Sequence, residues 1–261
     1  MLYLLFLAVC FGASIIGAIC GIGGGVIIKP VLDAFGVLSV SAISFLSSCT
    51  VLSMTAYSVA KSKLSGKSEI DQSIGFPLAI GAAAGGLIGK WLFDIVKSMS
   101  ADPNRVGAVQ ALCLLIVTLG TLIYTIYKEK IPTKKLTNQV VCIVIGIFLG
   151  ILSSFLGIGG GPINLVVLFY FFSMNTKTAA ENSLYVILFS QIASLVMTLV
   201  TGKVPEVPLT LLIMMVGGGI AGGICGRAIN KKIEEKTVNK LFIALMAVII
   251  LINVYNIIKF I

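Results

Sequence analysis

Glycine fills four of five positions twice in this chain, as Gly21-Ile22-Gly23-Gly24-Gly25 and as Gly157-Ile158-Gly159-Gly160-Gly161. A glycine inside a helix costs roughly 1 kcal/mol relative to alanine, so neither stretch continues the apolar segment before it. Both suit a place where the chain unwinds and lets its backbone approach something closely. The chemistry open to such a break is anion binding. Helices starting near Val26 and Pro162 would turn free N–H groups and positive dipole ends toward the breaks. Pro162 fits a first helical position, because its missing N–H would be unbonded there anyway. Gly23, Gly24, Gly25 and Val26, with Gly159, Gly160 and Gly161, are the expected backbone donors to a small negative ligand. The competing reading is a close helix crossing with no ligand.

Polar side chains in the apolar segments add donors. Ser44, Ser47 and Ser48 enter the third segment, and Asn164 sits one turn into the seventh. Asn182, Ser183 and the deeper Gln191 occupy the eighth. Any single serine can bond back to its own helix; as a group meeting the glycine breaks they point to a lined cavity. Four charged residues stand in costly positions. Lys29, whose counterpart in the second half is Leu165, either faces the anion or pairs with Asp33 four residues on. Lys90 and Arg227 end equivalent segments, where they snorkel to lipid headgroups or act as gate residues. Glu181 either pairs with Lys177 or takes part in ion coupling. Histidine is absent, and no paired catalytic carboxylates or metal-ligand cluster can be read. An enzyme is therefore not expected, nor a metal or other cofactor. The six cysteines are scattered singly through apolar segments and read as small buried hydrophobes.

The elements that must position these residues are membrane helices. Hydrophobic residues make up 58% and charged residues 11% of the 261, far from soluble usage. Ten apolar segments can be marked, near 2–20, 26–36, 39–60, 73–96, 106–127, 138–156, 162–173, 178–201, 207–229 and 238–259. The second and seventh are too short to span about 30 Å of hydrocarbon and read as half-helices or re-entrant arms. The first reads as a retained helix rather than a signal peptide.

The halves match beyond the glycines. Gly81-Ala82-Ala83-Ala84-Gly85-Gly86-Leu87-Ile88-Gly89-Lys90 resembles Gly218-Gly219-Ile220-Ala221-Gly222-Gly223-Ile224-Cys225-Gly226-Arg227, and Gly66-Lys67 resembles Gly202-Lys203. In the two glycine-alanine runs the small-xxx-small spacing predicts tight helix packing. The fold class is thus all-α and polytopic: a first repeat over 1–127, a cytoplasmic linker over 128–138 and a second repeat over 139–261. A repeat of five segments should be inverted relative to its partner. Charge agrees. Lys61, Lys63 and Lys67 follow the third segment, against Lys203 and Glu206 after the eighth. Lys97, Asp102 and Arg105 follow the fourth; after the ninth come the basic Arg227, Lys231, Lys232, Lys236 and Lys240, offset in part by Glu234 and Glu235. The positive-inside rule then puts both termini outside, and eight simple crossings would scatter the basic loops over both sides. The net charge of +9 is explained by those loops. No soluble basic face is left for nucleic acid.

The twin breaks, with Pro30 and Pro162 after them, and the glycine-rich runs ending in Gly89-Lys90 and Gly226-Arg227 resemble the sulfite exporter TauE/SafE family. The resemblance covers nearly the whole chain. The first half has Ser44 and Ser47-Ser48 where that family has a Thr-Ser pair. It implies a bacterial inner-membrane permease for sulfur-containing anions such as sulfite, sulfoacetate or other organosulfonates. The expected function is alternating access with the anion held at the paired breaks; the alternative is an anion channel-like pore with the same site as its filter. Expected partners are the small anionic substrate and the lipid bilayer, with a homodimer left open.

Overall fold

The computed structural model describes residues 2–66, 68–100 and 103–260, the side chains of 103 and 104 excepted. Lys67 and Asp102, used above in the charge argument, lie outside the described residues. The described residues form ten α-helices: α1 (Leu2–Cys20), α2 (Gly25–Phe35), α3 (Val40–Leu64), α4 (Gln72–Met99), α5 (Pro103–Tyr127), α6 (Gln139–Leu156), α7 (Gly161–Phe172), α8 (Thr176–Val200), α9 (Leu209–Asn230) and α10 (Glu235–Phe260), with one 3-10 turn at Lys128–Lys130. There is no strand among the described residues. Eight of the helices are long and apolar enough to cross a membrane. The short α2 and α7, of 11 and 12 residues, rise only about 16–18 Å.

The helix boundaries have local causes. Ser39, Asp71, Asn138 and Asn175 cap α3, α4, α6 and α8 by accepting a first-turn N–H, which satisfies donors that otherwise lack a partner. The glycine stretches end α1 and α6. Gly21 and Gly157 are left-handed (φ +74° and +65°), and the next residue closes each helix, Ile22 N–H to Gly17 O and Ile158 N–H to Ser153 O.

Helix directions follow from which glycine meets which backbone. Gly81, Gly85 and Gly89 of α4 lie against Ile143, Ile147 and Ile151 of α6, so the two helices run parallel in close contact. Gly218, Gly222 and Gly226 of α9 lie in the same manner against Leu7, Phe11 and Ile15 of α1. A Cβ added at Gly85 or Gly226 would come within 2.1 or 2.3 Å of a carbonyl oxygen; side chains there are incompatible with the observed spacing. Gly219 and Gly223 set α9 parallel to α3 at Thr50 and Met54, and Gly75 and Gly86 set α4 parallel to α8 at Asn182 and Ser190. In contrast α3 and α8 are antiparallel: Ser62 at the end of α3 bonds Glu181 at the start of α8. The packing partners of the first five helices thus recur among the second five.

These directions place Leu2, Val40, Met99, Val200, Leu209 and Phe260 at one face of the bundle, called the terminal face. The ends of α3, α5 and α9 and the starts of α4, α6, α8 and α10 lie at the other. That second face carries Lys61, Lys63, Lys128, Lys130, Lys134, Lys135, Arg227, Lys231, Lys232, Lys236 and Lys240, and is called the basic face. Helices α1 and α3 run the same way because α2 brings the chain back between them. Eight simple crossings are therefore not the arrangement.

Candidate functional site

Both glycine breaks lie at the middle of the bundle. Gly23 and Gly159 each sit against Val51 and Ile187, which are near the midpoints of α3 and α8, where those helices cross. The breaks also touch each other. Gly25 packs on the carbonyl of Ile158, and Gly161 on Val26. In the second break Gly159, Gly160 and Gly161 all have positive φ (+82°, +90°, +52°), a path that side-chain-bearing residues rarely take. No side chain caps α2 or α7, so their first-turn N–H groups rely on other partners. Gly23, Gly24, Gly25, Val26, Gly159, Gly160 and Gly161 are all buried. In this conformation the breaks meet back to back, with Val51 and Ile187 filling the space beside them.

Unpaired polar atoms surround that junction. Among the described residues, the hydroxyls of Ser14, Ser44, Ser47, Ser154 and Ser183 and both amide atoms of Asn164 are buried without a hydrogen-bond partner. Asn164 lies against Gly160, Ser14 against Gly24, and Ser44 against Gly157. Gln191 donates to Ser153 Oγ at 3.2 Å, and Ser153 also bonds Ser190. Asn182 is set apart toward the basic face, where it donates to the carbonyls of Glu69 and Thr178.

The space a ligand could enter lies beside the junction. A cavity of about 450 Å³ opens between α3, α4, α6 and α8 at the terminal face. Ser41, Ser44 and Ser48 line it from one stripe of α3, and Ser194 and Thr198 from one stripe of α8. Its inner end is Ser154 and Gly157, the first residue of the second break. Lys90, Lys97 and Lys203 surround its mouth with Asp94, so three ammonium groups face one carboxylate. Lys90 and Lys203 both hold Asp94, at 3.1 and 3.3 Å. Hydroxyl donors below a positive rim suit a small oxyanion.

Of the predicted side-chain ligands, Ser44 and Ser48 are brought together in this cavity, with Lys90, read from the sequence as a snorkelling or gate residue; Ser47, Asn164, Asn182, Ser183 and Gln191 are not among its lining residues. Ser154, Ser194 and Thr198 were not singled out from the sequence, and Lys97 and Lys203 are read there as loop charges and repeat markers rather than as site residues. The period-3.6 serine and threonine spacing on α8 is the signal that could have found Ser194 and Thr198; nothing local marks Lys203.

Of the charged residues, Lys29 takes one of its two expected roles, and Lys90, Arg227 and Glu181 take partners that were not expected. Lys29 is bonded to Asp33 within α2, and both are buried. Lys90 and Arg227 do not snorkel outward: both side chains are 14% exposed and turned into ion pairs. Arg227 donates to the carbonyl of Ser58 and lies 3.9 Å from Glu181. Glu181 is turned from Lys177 toward the bundle, where its carboxylate accepts Ser62 Oγ at 2.8 Å and Glu69 N–H at 2.9 Å. This cluster ties α3, α8, α9 and the α3–α4 loop together on the basic face. The void left beside this cluster is only about 30 Å³.

The arrangement has relatives. A family model described as sulfite exporter TauE/SafE matches residues 5–252. A protein of Bacillus subtilis (strain 168), named probable membrane transporter protein YunE, is 24% identical over 243 residues, covering 87% of this chain and 88% of the relative. No solved structure matches significantly. Eight membrane-length helices, glycine-broken short helices at mid-depth and a family match over nearly the full length agree: the chain is a multi-pass membrane protein and belongs to the sulfite exporter TauE/SafE family.

Proposed function

We propose that this chain is a secondary carrier for small sulfur-containing anions, working by alternating access. The observation that carries the reading is the cavity on the terminal face, with its lysine rim, its serine and threonine walls and its floor at Gly157. A sulfite or sulfonate head offers several oxygen acceptors and no strong donor. It is therefore matched by hydroxyls that are buried and unpaired, such as those of Ser44 and Ser154.

The closed counterpart on the basic face supports carriage over a pore. A channel needs a continuous path, whereas here about 450 Å³ on one side faces about 30 Å³ at the equivalent place on the other. The antiparallel pairing of α3 with α8 and the matched pairings α1–α9 and α4–α6 support two inverted repeats. An exchange of conformations between such repeats would close the terminal cavity and open the basic one. The anion would then pass from the serine walls to the amides of the breaks as Val51 and Ile187 part. With the basic face in the cytoplasm, as the positive-inside rule expects, the cavity faces outward and both chain ends are external.

Counterflow in proteoliposomes tests this reading. Sulfite, sulfoacetate and a short organosulfonate inside should accelerate entry of the same labelled anion. Flux without acceleration would indicate a pore, and no flux or binding of any of the three by folded protein would refute the substrate class.

A further inference from the structure

The buried pair Lys29–Asp33 has no part in the cavity described above. It is a charged pair in an otherwise apolar short helix, 2% and 5% exposed, and its equivalents in the second half are apolar (Leu165 for Lys29). Ionisable groups at membrane depth are retained against a substantial penalty. The pair faces a small void of about 10 Å³ lined also by Gln110, Leu156 and Asn253, about the size of one water. Two acceptors there, Asp33 Oδ1 and Gln110 Oε1, are buried with no hydrogen-bond partner among the described residues. Neither acceptor is bonded to the N–H groups of Lys29 or Asn253 that line the same void, and a proton placed on the carboxylate would give both a partner.

The place of this void gives the shortage a use. Gln110 donates through its amide nitrogen to the carbonyl of Phe155 at 2.6 Å, in the last turn of α6. Leu156 of that turn lines the void, while Ser154 and Gly157 of the same turn form the floor of the anion cavity. One helical turn therefore separates the carboxylate from the anion.

We infer that the Lys29–Asp33 pair is a proton-binding site, coupled through the last turn of α6 to the anion cavity, so that anion and proton are carried together. This rests on the carrier reading above. With Asp33 ionised, the pair is neutral and the anion gains nothing from it. With a proton on Asp33 Oδ1, donated toward Gln110 Oε1, Lys29 is left with an unmatched positive charge that attracts the anionic head across the turn. The charged groups acting on Asp33 are Lys29 on its own helix and Lys259 on α10, whose ammonium bonds the carbonyls of Asp33 and Ala34. From α5 and α6 it meets Gln110, Ala111, Leu114 and Leu156, and from α10 Asn253; none of these titrates. Two unit charges about 10 Å apart, one helix width, at an effective dielectric near 20 change anion affinity by roughly tenfold to twentyfold.

The test uses sulfoacetate near neutral pH, where both its acid groups are ionised and cannot carry the proton themselves. Calorimetry of wild-type protein in two buffers of different ionisation enthalpy, repeated across pH, should show an uptake that peaks at roughly half a proton per anion bound, the most that a tenfold to twentyfold coupling allows. Asp33→Asn should bind roughly tenfold more tightly than wild type at alkaline pH and lose most of its pH dependence. Lys29→Gln with Asp33→Asn restores neutrality and should bind as weakly as alkaline wild type, again independent of pH. A pH effect from Asp94 at the cavity mouth would survive in both variants. Binding by the wild type with no proton uptake overturns the inference, whether or not the variants fold, and so does an Asp33→Asn protein that binds no more tightly than wild type. Absence of sulfoacetate binding and counterflow in the wild type instead overturns the carrier reading on which it rests.

Discussion

Replacing Glu181 by glutamine tests the closed side of the bundle most directly. The carboxylate accepts Ser62 Oγ at 2.8 Å and Glu69 N–H at 2.9 Å and sits 3.9 Å from Arg227. Its side chain is 25% exposed, so solvent screening holds the ion pair itself to about 1 kcal/mol or less. The two hydrogen bonds each weaken by about 0.5 kcal/mol when the acceptor becomes neutral. The sum, about 1–2 kcal/mol, corresponds to a fivefold to thirtyfold rise in the population open at the basic face. Ser58 is a suitable reporter, because it is 2% exposed beside Arg227 and its hydroxyl has no partner among the described residues. In a background lacking the exposed Cys225, Ser58→Cys should react slowly with a charged thiol reagent applied from the basic face. Adding Glu181→Gln should accelerate that reaction by the same fivefold to thirtyfold. Equal rates in the two backgrounds would refute the assignment of Glu181 and Arg227 as the closure.

Two further perturbations separate local geometry from charge. Gly160→Ala places a side chain at φ +90° within 2.6 Å of Asn164, which costs about 1–2 kcal/mol in backbone strain alone. Gly24→Ala keeps φ −68° and meets Ser14 at 3.0 Å, so its loss stays below about 1 kcal/mol. Thermal unfolding in detergent should show the larger shift for Gly160→Ala, and the reverse order would contradict the asymmetry between the breaks. Lys97→Gln with Lys203→Gln leaves the Lys90–Asp94 pair in place. It should slow anion association several-fold at low salt and hardly at all at high salt; an unchanged salt dependence in stopped-flow binding would show that the rim does not steer.

Much of the architecture was legible from composition and spacing, because a bilayer permits few solutions. Apolar runs of about 20 residues must be helices, so segments such as 2–20 and 138–156 correspond to α1 and α6 almost residue for residue. The glycine stretches had to interrupt helices, since their penalty accumulates locally, and Gly21 and Gly157 do so by a left-handed turn. The glycine-alanine runs had to pack closely, because nothing but backbone can fill the space that small residues leave.

Tertiary structure decided what stands opposite each residue. Sequence offered two roles for Lys29, and the approach of Asp33 on the same buried face settled its partner. Arg227 and Lys90 occupy matching places in the two halves, yet one meets Glu181 of α8 and the other its own helix neighbour Asp94, which Lys203 also holds. That difference depends on residues far apart in the chain, Glu181 being matched by Ser44 in the first half. The cavity walls likewise come from four helices, and Lys203 joins them only because α8 and α4 end at the same face. Periodicity fixes which residues share one helix face. Which faces meet is fixed by packing between helices, and this is why the glycine breaks and a polar cavity near them could be read in advance while most of its walls and its lysine rim could not.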